Sequence, residues 1–174
     1  MKQENIIKLS LGALALFALF SRKTSGAPLL GEAGKYPNPS GRSRGLRNNN
    51  PGNLKETATN WQGQVKPSGD PPFAQFSDPV WGARAMIILI KRTYRGYGLN
   101  TIRAIITRYA PPVENDTQAY IQTISQKTGL SPDRVLSTED DYKKVIQAMA
   151  ALENGVSVNA ALPDNLYFEA LNLI

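Results

Sequence analysis

From Asp78 to Gly155 the sequence carries helix start and stop signals at helix-length intervals, and this punctuation restricts the chain to a mainly α fold. Asp78-Pro79 opens a helix with proline at the first helical position, where its missing N–H removes no helical bond. Trp81, Ala85, Ile88 and Leu89 follow as the expected inward face, and Gly96-Tyr97-Gly98 closes the segment. A second helix is predicted from the cap Asn100 to Tyr109, stopped by Pro111-Pro112. A third starts at Asn115, whose spacing to Gln118 fits a capping box. It carries Tyr120, Ile121 and Ile124 and ends at Gly129. A fourth runs from Thr138 to Glu153 before Asn154-Gly155, and a short last helix follows Pro163.

The sequence before Asp78 is built differently. Arg44 to Gln75 reads as loop, with Asn-Pro-Gly, Pro-Ser-Gly and Asp-Pro-Pro turn signals. Extended pieces around Trp61 and Phe73 to Phe76 predict a small hairpin. Residues 24–43, with Pro28, Pro37 and Pro39 among Gly and Ser, read as a flexible linker. Residues 1–23 contain an apolar run, Ile6 to Phe20, flanked by Lys2 and by Arg22-Lys23. It has the length of a signal-peptide core and is short for a spanning helix. Pro28 after the nearest small-residue site suits cleavage poorly, so an uncleaved N-terminal hydrophobic helix acting as a membrane anchor is expected. Residues 44–174 form the expected folded domain.

Composition narrows the chemistry. The 174 residues include no Cys and no His. Ser-His-Asp and Cys-His nucleophiles and the usual zinc sites are thereby removed, and no metal or cofactor is expected. Carboxylate chemistry on a glycosidic bond is the leading survivor. The net charge of +6 attracts anionic partners. Its Lys and Arg are scattered along the chain, so nucleic acid is not the expected partner.

One carboxylate stands out. Tyr142, Ile146, Met149 and Glu153 fall on one stripe of the fourth helix, so Glu153 points the way the core does. It also sits in the last turn, at the negative end of the helix dipole. Burial and dipole both disfavour its ionised form, as a general acid working near neutral pH requires. On pattern alone, a frayed helix end with Glu153 in water competes with this reading. The run Asn48-Asn49-Asn50 offers amide groups suited to sugar hydroxyls and N-acetyl groups, although Asn, Pro and Gly are also simply turn formers. Tyr109 and Tyr120 lie at helix ends near Glu114 and Asp116, where core packing of a Tyr and an Asp at a helix N-terminus are strong competing explanations.

Taken together, these stretches resemble the lytic transglycosylase and goose-type lysozyme superfamily. Gly45-Leu46-Arg47-Asn48-Asn49-Asn50-Pro51 is similar to that family's Gly-Leu-Met-Gln-x-x-Pro segment, with Arg for Met and Asn for Gln. Asp78-Pro79 with Gly82-Ala83-Arg84 resembles its Asp-Pro helix, and Asp116-Thr117-Gln118-Ala119-Tyr120-Ile121 its Glu-Thr-x-x-Tyr-Val segment. Tyr109 resembles a later family Tyr, without the Asn that follows it there. The family's catalytic Glu-Ser-Gly motif precedes the Gly-Leu segment. Here Glu153-Asn154-Gly155, with Asn159-Ala160, reproduces it at the far end, which resembles a circular permutation. Phage virion proteins opening with Arg-Gly-Leu-Arg-Asn-Asn-Asn-Pro-Gly-Asn are similar in the same way.

The resemblance implies a lysozyme-like helical domain, peptidoglycan glycan strands as partner, and Glu153 as catalytic acid and base. It implies Asn48, Asn50, Tyr109 and Tyr120 as substrate-binding residues. A rival acid, Glu32, lies among Gly31, Gly34, Pro37 and Pro39, where no helix would hold it, and Glu114 matches no family position. A non-catalytic virion or membrane protein that binds cell wall is the alternative.

Overall fold

The computed structural model describes residues 42–113 and 115–174. The apolar run Ile6 to Phe20, most of the linker, Glu32 and Glu114 therefore lie outside the described residues. Among those described, no helix is long and apolar enough to cross a membrane.

The domain is mainly helical with one small hairpin. In chain order it comprises α1 (Arg44–Arg47), β1 (Gln64–Val65), β2 (Gln75–Phe76), α2 (Pro79–Ile87), α3 (Ile102–Tyr109), α4 (Thr117–Thr128), α5 (Glu139–Asn154), α6 (Val158–Ala161) and α7 (Asp164–Asn172). The strands pair antiparallel, Gln64 opposite Phe76 and Val65 opposite Gln75. The hairpin thus forms where expected, although its first strand lies just beyond Trp61. The turn of helix α1, in a stretch expected to be loop, is a correction. Four residues are too few to show a helical period, and its burial comes from packing on α5.

Several helix starts use a neighbour of the expected cap. For α3, Thr101 Oγ1 accepts from the Ala104 N–H at 3.1 Å, while the carbonyl of Asn100 accepts from Leu136 N–H. For α4, Asp116 Oδ1 accepts from the Ala119 N–H at 2.9 Å, and Asn115 instead donates to the Pro111 carbonyl. An ionised Asp also suits the positive end of the helix. The expected starts hold at Asp78, which accepts from the Val80 N–H, and at Thr138, which forms a full capping box with Asp141.

The core lies between α2, α3, α4 and α5. Met86, Ile87, Ile90, Ile105, Ile106, Ile146 and Met149 are fully buried, and each such side chain contributes on the order of 2 kcal/mol of burial free energy. The inward face of α2 differs from expectation. Ala85 is buried, but Trp81, Ile88 and Leu89 are only partly so, and Ala83, Met86, Ile87 and Ile90 fill the core. Two causes act together. α2 is covered on one side by α7 and on another by β2. From Ile88 to Tyr94 the helix continues with π winding, which adds residues to each turn and rotates the later positions.

Candidate functional site

The loop after α1 meets the C-terminal end of α5, and three main-chain features shape it. Asn49 and Asn53 take positive φ, 52° and 47°, a region Asn tolerates better than most residues. Gly82 lets α2 approach so closely that a Cβ there would overlap the Asn49 carbonyl oxygen. Gly45 is similarly constrained: a Cβ would come within 2.8 Å of oxygens of Asn154, Asn50 and Asn53.

Side chains then tie the loop to α5 across a hundred residues of sequence. Asn154 Nδ2 donates to the Pro51 carbonyl at 2.8 Å, and Ser43 Oγ donates to Asn154 Oδ1 at 2.5 Å. Asn53 Nδ2 donates to the Glu153 carbonyl at 3.1 Å and to its Oε2 at 3.3 Å. From α4, the Tyr120 hydroxyl donates to Glu153 Oε1 at 2.8 Å. Both carboxylate oxygens thus carry a protein donor.

The stripe expected on α5 is present: Tyr142, Ile146 and Met149 are buried. Glu153 as a whole residue is only half-buried, but its carboxyl lies among protein groups, and it is the carboxyl that titrates. Burial pushes it up from an ordinary glutamate to about 7, against the hydrogen bonds from Tyr120 and Asn53, which work to lower it. The phenols of Tyr109 and Tyr120 are held well above the usual tyrosine range, chiefly by burial and then by the nearby Glu153 charge. Tyr120 therefore stays protonated and remains a donor to Glu153.

The other residues expected to bind substrate serve the loop. Asn50 has no exposed surface. Its Nδ2 donates to the Leu54 and Ala74 carbonyls, and its Oδ1 accepts from the Leu54 N–H. Its side chain thereby holds the loop to the hairpin. Asn48 is buried and donates to Asp70 Oδ2 at 3.0 Å. Asn49 donates to the Phe76 carbonyl. Tyr109 is buried, and its hydroxyl donates to the Gly52 carbonyl, one residue before Asn53. Tyr120 alone of the four reaches Glu153. Asp116 is a helix cap.

Asn53 is the site residue the sequence reading missed. The signal available was its place at the end of the Asn-rich segment, but nothing local separates it from an ordinary turn residue. Among the described residues, no group of three acidic, His or Cys side chains is arranged to hold a metal ion. The arrangement offers one carboxyl poised near neutrality, with its two oxygens held apart by a phenol and an amide.

No family model matches the sequence. The chain is 43% identical over 116 residues to Protein P5 of Pseudoalteromonas phage PM2, a match that spans 65% of this chain and 72% of that protein. On that extent of identity, the chain belongs to the family of Protein P5 of phage PM2.

Proposed function

We propose that this domain is a peptidoglycan-cleaving lytic transglycosylase with a lysozyme-like fold, acting on the β-1,4 bond between N-acetylmuramic acid and N-acetylglucosamine. The observation that carries the reading is Glu153: a carboxyl raised to about 7 by burial, bonded to Tyr120 and Asn53. Such a group is protonated often enough at neutral pH to act as an acid, and is ionised easily enough to act next as a base. In the proposed reaction Glu153 gives its proton to the bridging oxygen. The resulting carboxylate then takes the proton of the muramic 6-hydroxyl as that oxygen attacks the anomeric carbon. The product is a 1,6-anhydro sugar, and no second carboxylate is needed because the substrate supplies its own nucleophile.

The setting proposed with this activity is a phage virion protein, anchored in a membrane by the apolar run Ile6 to Phe20, with the domain acting on the periplasmic cell wall. The kinship with a phage protein supports the phage part of that setting. Peptidoglycan carries anionic peptides, which the net charge of +6 would attract.

Digestion of purified peptidoglycan, with mass spectrometry of the fragments, tests the reaction. Anhydro ends are expected. Reducing ends would make the protein a hydrolase of the lysozyme kind. Glu153→Gln should lower the rate by about a hundredfold or more, and full activity in that folded variant would remove the assignment. A second reading draws on Asn48, Asn49 and Asn50, whose amides are all engaged by the protein itself. It makes the domain a wall-binding virion or membrane protein without activity. Retention on peptidoglycan with no fragment released would favour it.

A further inference from the structure

Asn53 is held more firmly than a turn residue needs. Its N–H donates to the Asn50 carbonyl at 2.9 Å. The peptide before it is pinned by the Tyr109 hydroxyl on the Gly52 carbonyl. Gly52 has little room to move, since a Cβ there would meet Tyr109 Oη at 2.9 Å and Met86 Sδ at 3.0 Å. Packing thus runs from Tyr109 on α3 through Gly52 to Asn53, and from Asn53 to Glu153 on α5.

The side chain also carries a cost. Asn53 Oδ1 is buried with no hydrogen-bond partner among the described residues, and an orphaned acceptor of that kind is destabilising. At φ of 47°, glycine would shape the same turn with no buried amide. The feature that offsets the cost is Nδ2, which donates to both the carbonyl and the carboxylate of Glu153.

We infer that Asn53 is the positioning residue of the site: its carboxamide grips the Glu153 carbonyl and Oε2 together, fixing the acid's side chain against the loop while Tyr120 holds Oε1 from α4. The inference rests on the acid role proposed for Glu153. The titratable groups facing that carboxyl are the phenols of Tyr120 on α4 and Tyr109 on α3, both kept neutral by burial. From the loop, the Asn53 amide favours the ionised carboxylate.

The test uses the full chain in detergent, with two substitutions. Asn53→Gly keeps the positive φ and deletes the amide; Asn53→Asp keeps the shape and replaces the donor with an acceptor. Glu153 is titrated by carbon NMR of its carboxyl, and peptidoglycan cleavage is measured against pH. Asn53→Gly should raise the Glu153 midpoint by about one pH unit, and Asn53→Asp by more. The alkaline limb of the rate profile should move up with it, and kcat should fall roughly tenfold to a hundredfold with KM little changed. An unmoved midpoint and an unmoved alkaline limb in a folded variant would overturn the inference, whatever the rate. If Asn53→Gly does not fold, Asn53→Asp decides alone. The NMR midpoint does not depend on cleavage. A moved midpoint beside an active Glu153→Gln would therefore sink the proposed reaction and leave the Asn53 contact standing.

Discussion

The two ends of α5 treat acidic side chains in opposite ways. At the N-terminal end, Glu139 and Asp141 are held below the usual carboxylate range. Burial works to raise both. For Glu139 the hydrogen bonds from Lys91 and Tyr167 outweigh it. For Asp141 the N–H groups of Ser137 and Thr138, the Thr138 hydroxyl and the Arg134 charge do so. The helix dipole adds to these effects. At the C-terminal end the dipole has the other sign, the donors are a phenol and an amide, both neutral, and Glu153 rises to about 7. One helix thus keeps carboxylates charged at its N-terminal end and raises the carboxyl at its C-terminal end toward neutrality. A strongly perturbed carboxyl is expected where function, not stability, sets the surroundings.

The largest way to break this contrast is to push the loop away from Glu153. Gly82→Ala would drive a methyl into the Asn49 carbonyl and should destabilise the domain by about 3 kcal/mol or more. Urea unfolding measures it, and a loss below about 1 kcal/mol would show that the close approach is not required.

Glu153→Gln sharpens the contrast through pH. The folded carboxyl titrates near 7, above an unfolded glutamate near 4.5. Stability from the protonated form is fully present below the lower value and is lost as pH rises through the upper one. Gln does not ionise, so the variant should exceed the parent by about 3 kcal/mol at mildly alkaline pH, with the gap closing in acid. Thermal unfolding across that range is the measurement, and a pH-independent difference would contradict the raised value. Glu139 and Asp141 have the opposite sign: their stabilisation is lost as pH falls through their lowered range.

The smallest effect concerns the N-terminal end. Thr138→Ala removes the side-chain half of the capping box and should cost about 1 kcal/mol, leaving the Glu153 midpoint in place. A shift of that midpoint would mean the two ends are coupled through the helix, and the contrast would not be local.

The helices were legible because their signals are local. Asp78-Pro79, Thr138 and Gly155 act on residues within one turn, so the sequence specifies them before any tertiary contact exists. Misplaced starts at α3 and α4 came from adjacent polar residues, Asn100 beside Thr101 and Asn115 beside Asp116, either of which could cap. Only the loop's own hydrogen bonds choose between them. The burial stripe that put Glu153 on the core side of α5 was legible for the same reason: a 3.6-residue period needs no partner to be read.

The site was legible only in part. Glu153 and Tyr120, both singled out in the sequence, are hydrogen-bonded to each other, whereas the three consecutive Asn side chains bind the hairpin and main chain. An amide is equally competent to bind a sugar or a carbonyl, and composition cannot say which it meets. The sequence by itself determined a mainly helical domain with no Cys or His to supply thiol or imidazole chemistry, and a glutamate on the inner stripe of its helix. Tertiary structure alone decided that Asn53, a hundred residues away in the chain, closes on that glutamate. Folding brings such distant groups together through the packing of whole elements, and no local pattern encodes that meeting.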